Sequence, residues 1–237
     1  YGAGLSDIWI IKIDSVGKIL WDKTIGTERV DIGYDICKSN EGGYVIAGMT
    51  VSEKTNSPDG YIVKIDSIGN TIWSQIYGGL DIDAFHSISA IDNEYGYITV
   101  GQTKSYMLDK SRIKNPGFFG RIIASIFKKK PTSEVWIMNI DEYGDKNWHN
   151  TYGGKKEDVG KSIKQSGDGG YIITSETSSK GAGKNDIWVL KVDKNGKIKW
   201  DITLGDKKDD FASSTTVSNK QENFISAYKT KKEKFSL

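Results

Sequence analysis

The sequence predicts an all-β chain of four-stranded antiparallel blades, the architecture of a β-propeller, and three observations carry that reading. The first is a repeat. Trp21, Trp73, Trp148 and Trp200 stand 52, 75 and 52 residues apart, and the excess in the middle gap falls in one basic segment. The second is that other positions keep step with these tryptophans. Each is preceded by an Asp (Asp14, Asp66, Asp141, Asp193) and a Gly (Gly17, Gly69, Gly144, Gly196), and followed by a Gly (Gly26, Gly78, Gly153, Gly205) and an Asp (Asp31, Asp83, Asp158, Asp210). Further upstream run an acidic column (Asp7, Asp59, Glu134, Asp186) and an aromatic one (Trp9, Tyr61, Trp136, Trp188). The third is that each repeat divides into short β-branched and aromatic runs separated by turn residues, with no helical periodicity. Repeats of 40–50 residues with four strands are the mark of a propeller.

Within the first repeat, strand a covers 8–13 and is apolar on both faces at Trp9-Ile10-Ile11, as expected of a strand buried between neighbouring blades. Asp14-Ser15-Val16-Gly17 is the next turn. Asp bonds its own backbone there, and Gly supplies the positive φ of a tight hairpin. Strand b is expected at about 19–25, strand c at about 34–39, a turn at Glu41-Gly42-Gly43 and strand d at 44–49. One blade per repeat gives blades at 7–58, 59–133, 134–185 and 186–237 within one domain, 1–237. Strand a is expected to line the central channel. The chain opens with Tyr1-Gly2-Ala3-Gly4, which matches Gly181-Ala182-Gly183 ahead of strand a of the last repeat, so it starts in a loop that elsewhere follows a blade. It reads either as a ring of four blades or as an arc of a larger one. An arc would expose two blade faces and be prone to association.

Composition fits this class. Hydrophobic residues are 37% of 237, with 27 Gly and 3 Pro, which excludes a disordered chain. No apolar run approaches the roughly 20 residues of a membrane span, so no transmembrane segment is expected, and no secretory leader is visible. Position 1 is Tyr, as in a chain processed or cut from something longer. The single cysteine, Cys37, excludes an internal disulfide and a cysteine-built zinc site. The net charge of +2 is uneven: residues 104–133 hold eight Lys and Arg against Asp109 alone, on an otherwise acidic body. That is not an extended basic face, and nucleic acid is not expected as a partner.

Four sets of residues are candidates for function. The acids of the two columns fall on loops of one face, where eight carboxylates could hold a hard cation; Ca²⁺ takes six to eight oxygens. Asp7, Asp59, Glu134 and Asp186 are the residues placed for this, and the competing role is bonding to loop backbone, the expected role of Asp31, Asp83, Asp158 and Asp210. The tryptophans Trp21, Trp73, Trp148 and Trp200 could stack on sugars, but a periodic aromatic reads first as blade-to-blade packing. The insertion 104–133 breaks the repeat. Asn115 and Pro116 read as the start of a helix. Phe118, Phe119, Ile122, Ile123, Ile126 and Phe127 form its apolar face, Arg121 and Ser125 its polar one, and Lys128, Lys129 and Lys130 close its C-terminus, where the dipole favours cations. It would pack on the propeller, bind a partner, or rest on anionic lipid through 115–130. The two histidines, His86 and His149, have no triad or metal spacing and read as packed residues.

Asp186-Ile-Trp-Val-Leu-Lys-Val-Asp193, Asn195-Gly-Lys-Ile-Lys-Trp200, Tyr152-Gly-Gly154 and Asp168-Gly-Gly-Tyr-Ile-Ile173 resemble the SBBP-type β-propeller repeat of exported and surface proteins. The Asp…Gly…Trp spacing is also similar to quinoprotein-type repeats, in which the Trp docks one blade on the next. The resemblance covers the chain outside 104–133. It implies a scaffold, extracellular or at the cell surface, with no shared catalytic residue; no cofactor is expected beyond the Ca²⁺ that the acid columns could hold. The function expected is therefore a non-enzymatic scaffold for a protein or glycan partner. The alternative is a polysaccharide hydrolase or lyase working through the acid-lined channel mouth.

Overall fold

The computed structural model describes residues 2–51, 53, 55–92, 95–105, 132–218 and 222–230. The first repeat supplies β1 (Ile8–Ile13), β2 (Ile19–Ile25), β3 (Asp31–Lys38) and β4 (Tyr44–Val51), and the second β5 (Pro58–Ile65), β6 (Thr71–Tyr77), β7 (Asp83–Ala90) and β8 (Tyr97–Thr103). The third supplies β9 (Glu134–Ile140), β10 (Lys146–Tyr152), β11 (Asp158–Gln165) and β12 (Tyr171–Thr177), and the fourth β13 (Asp186–Val192), β14 (Ile198–Leu204), β15 (Asp210–Val217) and β16 (Asn223–Lys229). The described residues contain no helix. The helix expected near 115–130 lies outside them.

The sheets are out of phase with the repeats. Instead of one blade per repeat, the third and fourth strands of one repeat join the first and second of the next. The sheets are β3-β4-β5-β6, β7-β8-β9-β10 and β11-β12-β13-β14, with two-stranded sheets β1-β2 and β15-β16 at the ends. The described residues show this arc of antiparallel sheets and no closed ring. The offset has a local cause. Strand d folds straight back on the next strand a, with Thr50 opposite Asp59 and Thr177 opposite Asp186. The connection from b to c, at the Gly column, instead crosses to the next sheet: Asp31 N–H donates to the Ser6 carbonyl at 2.8 Å, and Asp210 N–H to the Asn185 carbonyl at 2.8 Å.

The a–b turns follow the Asp column closely. Asp14 Oδ1 accepts the N–H groups of Val16 and Lys18, both at 2.9 Å, and Asp66, Asp141 and Asp193 do the same in their repeats. Gly17, Gly69, Gly144 and Gly196 take φ between 78° and 87°, which a side chain would oppose.

Strand c, expected from 34, begins three residues earlier, at its Asp. It also takes the inner place expected of strand a. Successive c strands lie side by side and bond across the sheets. Ser87 Oγ donates to Asp35 Oδ2 at 2.8 Å, Ile163 N–H to Ser87 Oγ at 3.4 Å, and Thr215 N–H to Ser162 Oγ at 3.1 Å. A bulge in every c strand, at Tyr34, His86, Lys161 and Ser213, turns these side chains toward the neighbouring sheet. Strand b is outermost, and its Trp reaches forward. A β-carbon on Gly69 would lie 3.1 Å from the Trp21 ring, one on Gly144 3.1 Å from Trp73, and one on Gly196 2.8 Å from Trp148. Trp21, Trp73 and Trp148 thus each seat on the a–b turn glycine of the next sheet, where a side chain would block them. Between the sheets the core is aliphatic and aromatic, for example Val45, Ile62, Phe85, Ile88 and Trp136, with Phe85 stacked on Trp136 at 4.6 Å.

Candidate functional site

The two acid columns meet in pairs, one at each crossing between sheets. A β-carbon built on Gly205 would lie 2.0 Å from Asp186 Oδ1 and 2.7 Å from Asp210 Oδ2. Gly78 stands likewise between Asp59 and Asp83, Gly26 between Asp7 and Asp31, and Gly153 between Glu134 and Asp158. The later acid of each pair closes a loop by accepting the N–H four residues before it. Asp31 takes Thr27 at 2.6 Å, and Asp83, Asp158 and Asp210 take Gly79, Gly154 and Asp206, each at 2.8 Å. The earlier acid ties its own entrance loop where Asp186 accepts Gly183 N–H at 2.9 Å. Asp31, Asp59, Asp83, Asp158, Asp186 and Asp210 are all buried, while Asp7 and Glu134 are half-buried. The eight acids therefore do not form one ring, and no three His, Cys, Asp or Glu side chains converge among the described residues. A cation at one crossing would find two carboxylates there, and the rest of its six to eight oxygens would have to come from carbonyls and water. Burial raises the Asp83 carboxyl above the ordinary carboxylate range.

A different place breaks the repeat. Where three repeats carry Lys12, Lys64 and Lys191, the third carries Asn139. Lys12 and Lys64 reach from strand a to the a–b turn of the following sheet: Lys12 Nζ donates to the Ser67 carbonyl at 3.0 Å and Lys64 Nζ to the Glu142 carbonyl at 3.3 Å. Asn139 is too short for this. The space is left as a cleft of about 580 Å³ between the second and third four-stranded sheets, lined among others by Asn139, Asn147, Trp148, Gln165, Lys194 and Asn195. Asn147 Nδ2 donates to Asn139 Oδ1 at 2.8 Å, and Gln165 Oε1 accepts the Asp92 N–H at 2.6 Å. Four amides and an indole, with Ser166, Tyr171, Asp92 and Lys194 beside them, make a donor and acceptor set suited to hydroxyl groups. Comparing the repeats column by column for a single departing member would have found Asn139.

The remaining candidates are packing residues in the described structure. His86 Nδ1 shares a hydrogen bond with the Gly160 carbonyl at 2.8 Å, and burial lowers its pKa. His149 Nδ1 accepts from Trp136 Nε1 at 3.2 Å. Burial, then Asp35, pushes the Cys37 thiol up to about 12, which makes it a poor nucleophile. Trp21, Trp73 and Trp148 sit at sheet junctions as described above. Phe118, Phe119, Arg121, Ile122, Ile126, Lys128, Lys129 and Lys130 lie outside the described residues.

No family model matches the chain. It is 24% identical over 115 residues to the regulatory protein FlaEY of Caulobacter vibrioides, covering 43% of this chain and 12% of that protein. The chain thus spans a small part of the length of that relative. Among solved structures, it superposes on a protein of unknown function from Bacteroides caccae with a TM-score of 0.55 at 10% identity. That match covers 99% of this chain and 68% of the other, a likeness of fold.

Proposed function

We propose that this protein is a non-catalytic propeller-type scaffold of the SBBP kind, extracellular or at the cell surface, that holds a neutral glycan in the cleft beside Asn139. The observation that supports it is the replacement of the lysine column by Asn139, which opens a cleft walled by Asn147, Gln165 and Trp148. Amides pair with sugar hydroxyls, and an indole offers apolar surface to a sugar ring. The burial of six of the eight column acids supports the non-catalytic reading over a hydrolase or lyase, because a general acid and base must reach the glycosidic bond.

The test is calorimetric titration of the chain with neutral oligosaccharides of several linkage types, alongside Asn139→Lys. Lysine restores the residue of the sister repeats and puts a long cation across the cleft, so the fold should persist while binding is lost. Failure of every oligosaccharide to bind, or equal binding by the variant, would overturn the reading. Release of reducing sugar from a polysaccharide would favour the hydrolase instead.

A further inference from the structure

Three amides of the cleft are fixed by bonds inside the protein, and those bonds decide what each has left to offer. Asn147 Nδ2 donates to Asn139 Oδ1 at 2.8 Å, and the Asp92 N–H donates to Gln165 Oε1 at 2.6 Å. Asn139 and Gln165 therefore keep their NH₂ groups for a ligand, and Asn147 keeps its oxygen. We infer that the cleft binds an N-acetylated hexosamine, with the acetamido carbonyl accepting from Asn139 Nδ2 and the acetamido N–H donating to Asn147 Oδ1. The inference rests on the glycan reading above and narrows it to one class of sugar.

The sister junctions show which acceptor belongs at this place. Lys12 and Lys64, in the column of Asn139, give their protons to the Ser67 and Glu142 carbonyls. Both acceptors are amide carbonyls of the following turn. Asn139 is too short to reach that turn, and its amide nitrogen has no hydrogen-bond partner among the described residues. Asn139 is only 7% exposed, and a buried N–H without an acceptor is costly. An acetamido carbonyl is the same chemical group as the backbone carbonyl that the lysines use. A ligand carrying one supplies at this junction what the chain supplies at the other two.

The rest of the wall points the same way. Trp73 Nε1 donates to the Glu142 carbonyl at 2.9 Å, whereas Trp148 Nε1 at the cleft has no partner among the described residues. With Asn139, Gln165 and the exposed Lys194, it gives the cleft more free donors than Asn147 Oδ1 and the Asp92 carboxylate can balance. A hydroxyl brings a proton with every oxygen, while an acetamido carbonyl brings two lone pairs and no proton of its own. The group also carries a methyl, and the Trp148 and Tyr171 rings, with centroids 6.5 Å apart, give it apolar surface. A site built to hydrogen-bond a group discriminates against the analogue lacking it, because the site's own polar groups are then left unpaired.

Calorimetric titration of the chain compares two tetrasaccharides of one linkage, β-1,4-linked N-acetylglucosamine and β-1,4-linked glucose. The N-acetylated one is expected to bind at least about tenfold tighter. Asn139→Asp keeps an oxygen for Asn147 and exchanges the free NH₂ for a second oxygen, so it should bring the ratio of the two affinities close to one. Asn147→Ala, at an exposed position, removes the acceptor and should do the same with an unchanged circular dichroism spectrum. A neutral oligosaccharide without acetamido groups that binds equally well or better would overturn this proposal and leave the glycan reading standing. Binding by no oligosaccharide would overturn both. A ratio unchanged in both variants would place the acetamido group elsewhere and overturn the proposal. N-acetylglycine methylamide brings the same amide without a sugar ring and should not displace the N-acetylated tetrasaccharide; displacement at equal concentration would assign the cleft to a peptide and overturn it as well.

Discussion

Replacing Gly78 by Ala should cost about twice as much as the same change at Gly153, although both occupy the same column and both sit at interior crossings. At Gly78 the new methyl would stand 2.2 Å from Asp59 Oδ1 and 2.7 Å from Asp83 Oδ2. Asp83 is fully buried and holds Gly79 N–H at 2.8 Å, so retreat loosens a charge-assisted hydrogen bond. Overpacking costs about 1–3 kcal/mol and a weakened bond to a buried carboxylate about 1.5–3 kcal/mol. With φ at 155° opposing a side chain as well, the sum is about 4 kcal/mol. At Gly153 the nearest atoms are Asp158 Oδ2 at 2.8 Å and Glu134 Cγ at 3.0 Å. Glu134 is half-buried on a longer stem that can swing aside, so what remains is the loosening of the buried Asp158 bond to Gly154 N–H, about 2 kcal/mol. The gain from restricting the unfolded chain is common to both and cancels. For a domain of this size 1 kcal/mol moves Tm by about 2–4 °C. Thermal melts followed by circular dichroism should therefore show Gly78→Ala lower by roughly 12 °C and Gly153→Ala by roughly 6 °C. Equal losses, or a larger one at Gly153, would refute the claim that these glycines exist to let the carboxylates approach.

Other outcomes follow from the same contacts. Asp168 is held well below the usual carboxylate range by Lys191, then Ser166, so its contribution is complete above the unfolded value near pH 4 and is lost only as pH falls further through its folded value. Asp168→Asn strands the buried Lys191 and should destabilise by about 1–3 kcal/mol in urea melts at pH 7; no change would mean Lys191 is satisfied elsewhere. Burial places the Asp83 carboxyl above its unfolded value, so the folded state gains as pH falls from 7 toward about 4. Asp83→Asn removes that gain, and the stability gap between the two proteins should widen across this range in denaturant titrations. Millimolar CaCl₂ and EDTA should leave Tm within about 1 °C, since site occupancy would raise it with ligand concentration; a clear rise with CaCl₂ would make the carboxylate pairs cation sites.

Much of the architecture was legible because it is written in columns. Asp14 and its equivalents read directly as turn formers, and strands β1 and β2 fall at their expected positions. The phase of the sheets was not legible. A repeat has no beginning in sequence, and four strands in a row can be grouped as a-b-c-d or as c-d-a-b. What decides is which connection crosses between sheets, and that is fixed by contacts such as Asp31 N–H to the Ser6 carbonyl, between side-by-side sheets rather than neighbours in sequence. The same blindness affected the acids. Asp186 and Asp210 stand 24 positions apart and meet only because the b–c crossing folds them over Gly205.

Conservation between repeats and specialisation within them point in opposite directions here. A residue that recurs in every repeat answers a demand that every junction makes: a turn, a seat for Trp, a tied loop. Function that needs one site has to come from a member that departs. Asn139 departs by being shorter than the lysine of its column, and a cleft follows at that junction. Trp9, Trp200 and Gly17 depart differently: their sequence is that of the column, and their surroundings are not. Where the lysine is kept it does the same work in different sheets: Lys64 bonds Glu41 and Lys191 bonds Asp168, each at 2.5 Å and each on the c–d turn of its own sheet. The periodic residues thus answer the demands of the junctions, and the one departure among the lysines answers none of them, which is why the cleft beside Asn139 is where a function can sit.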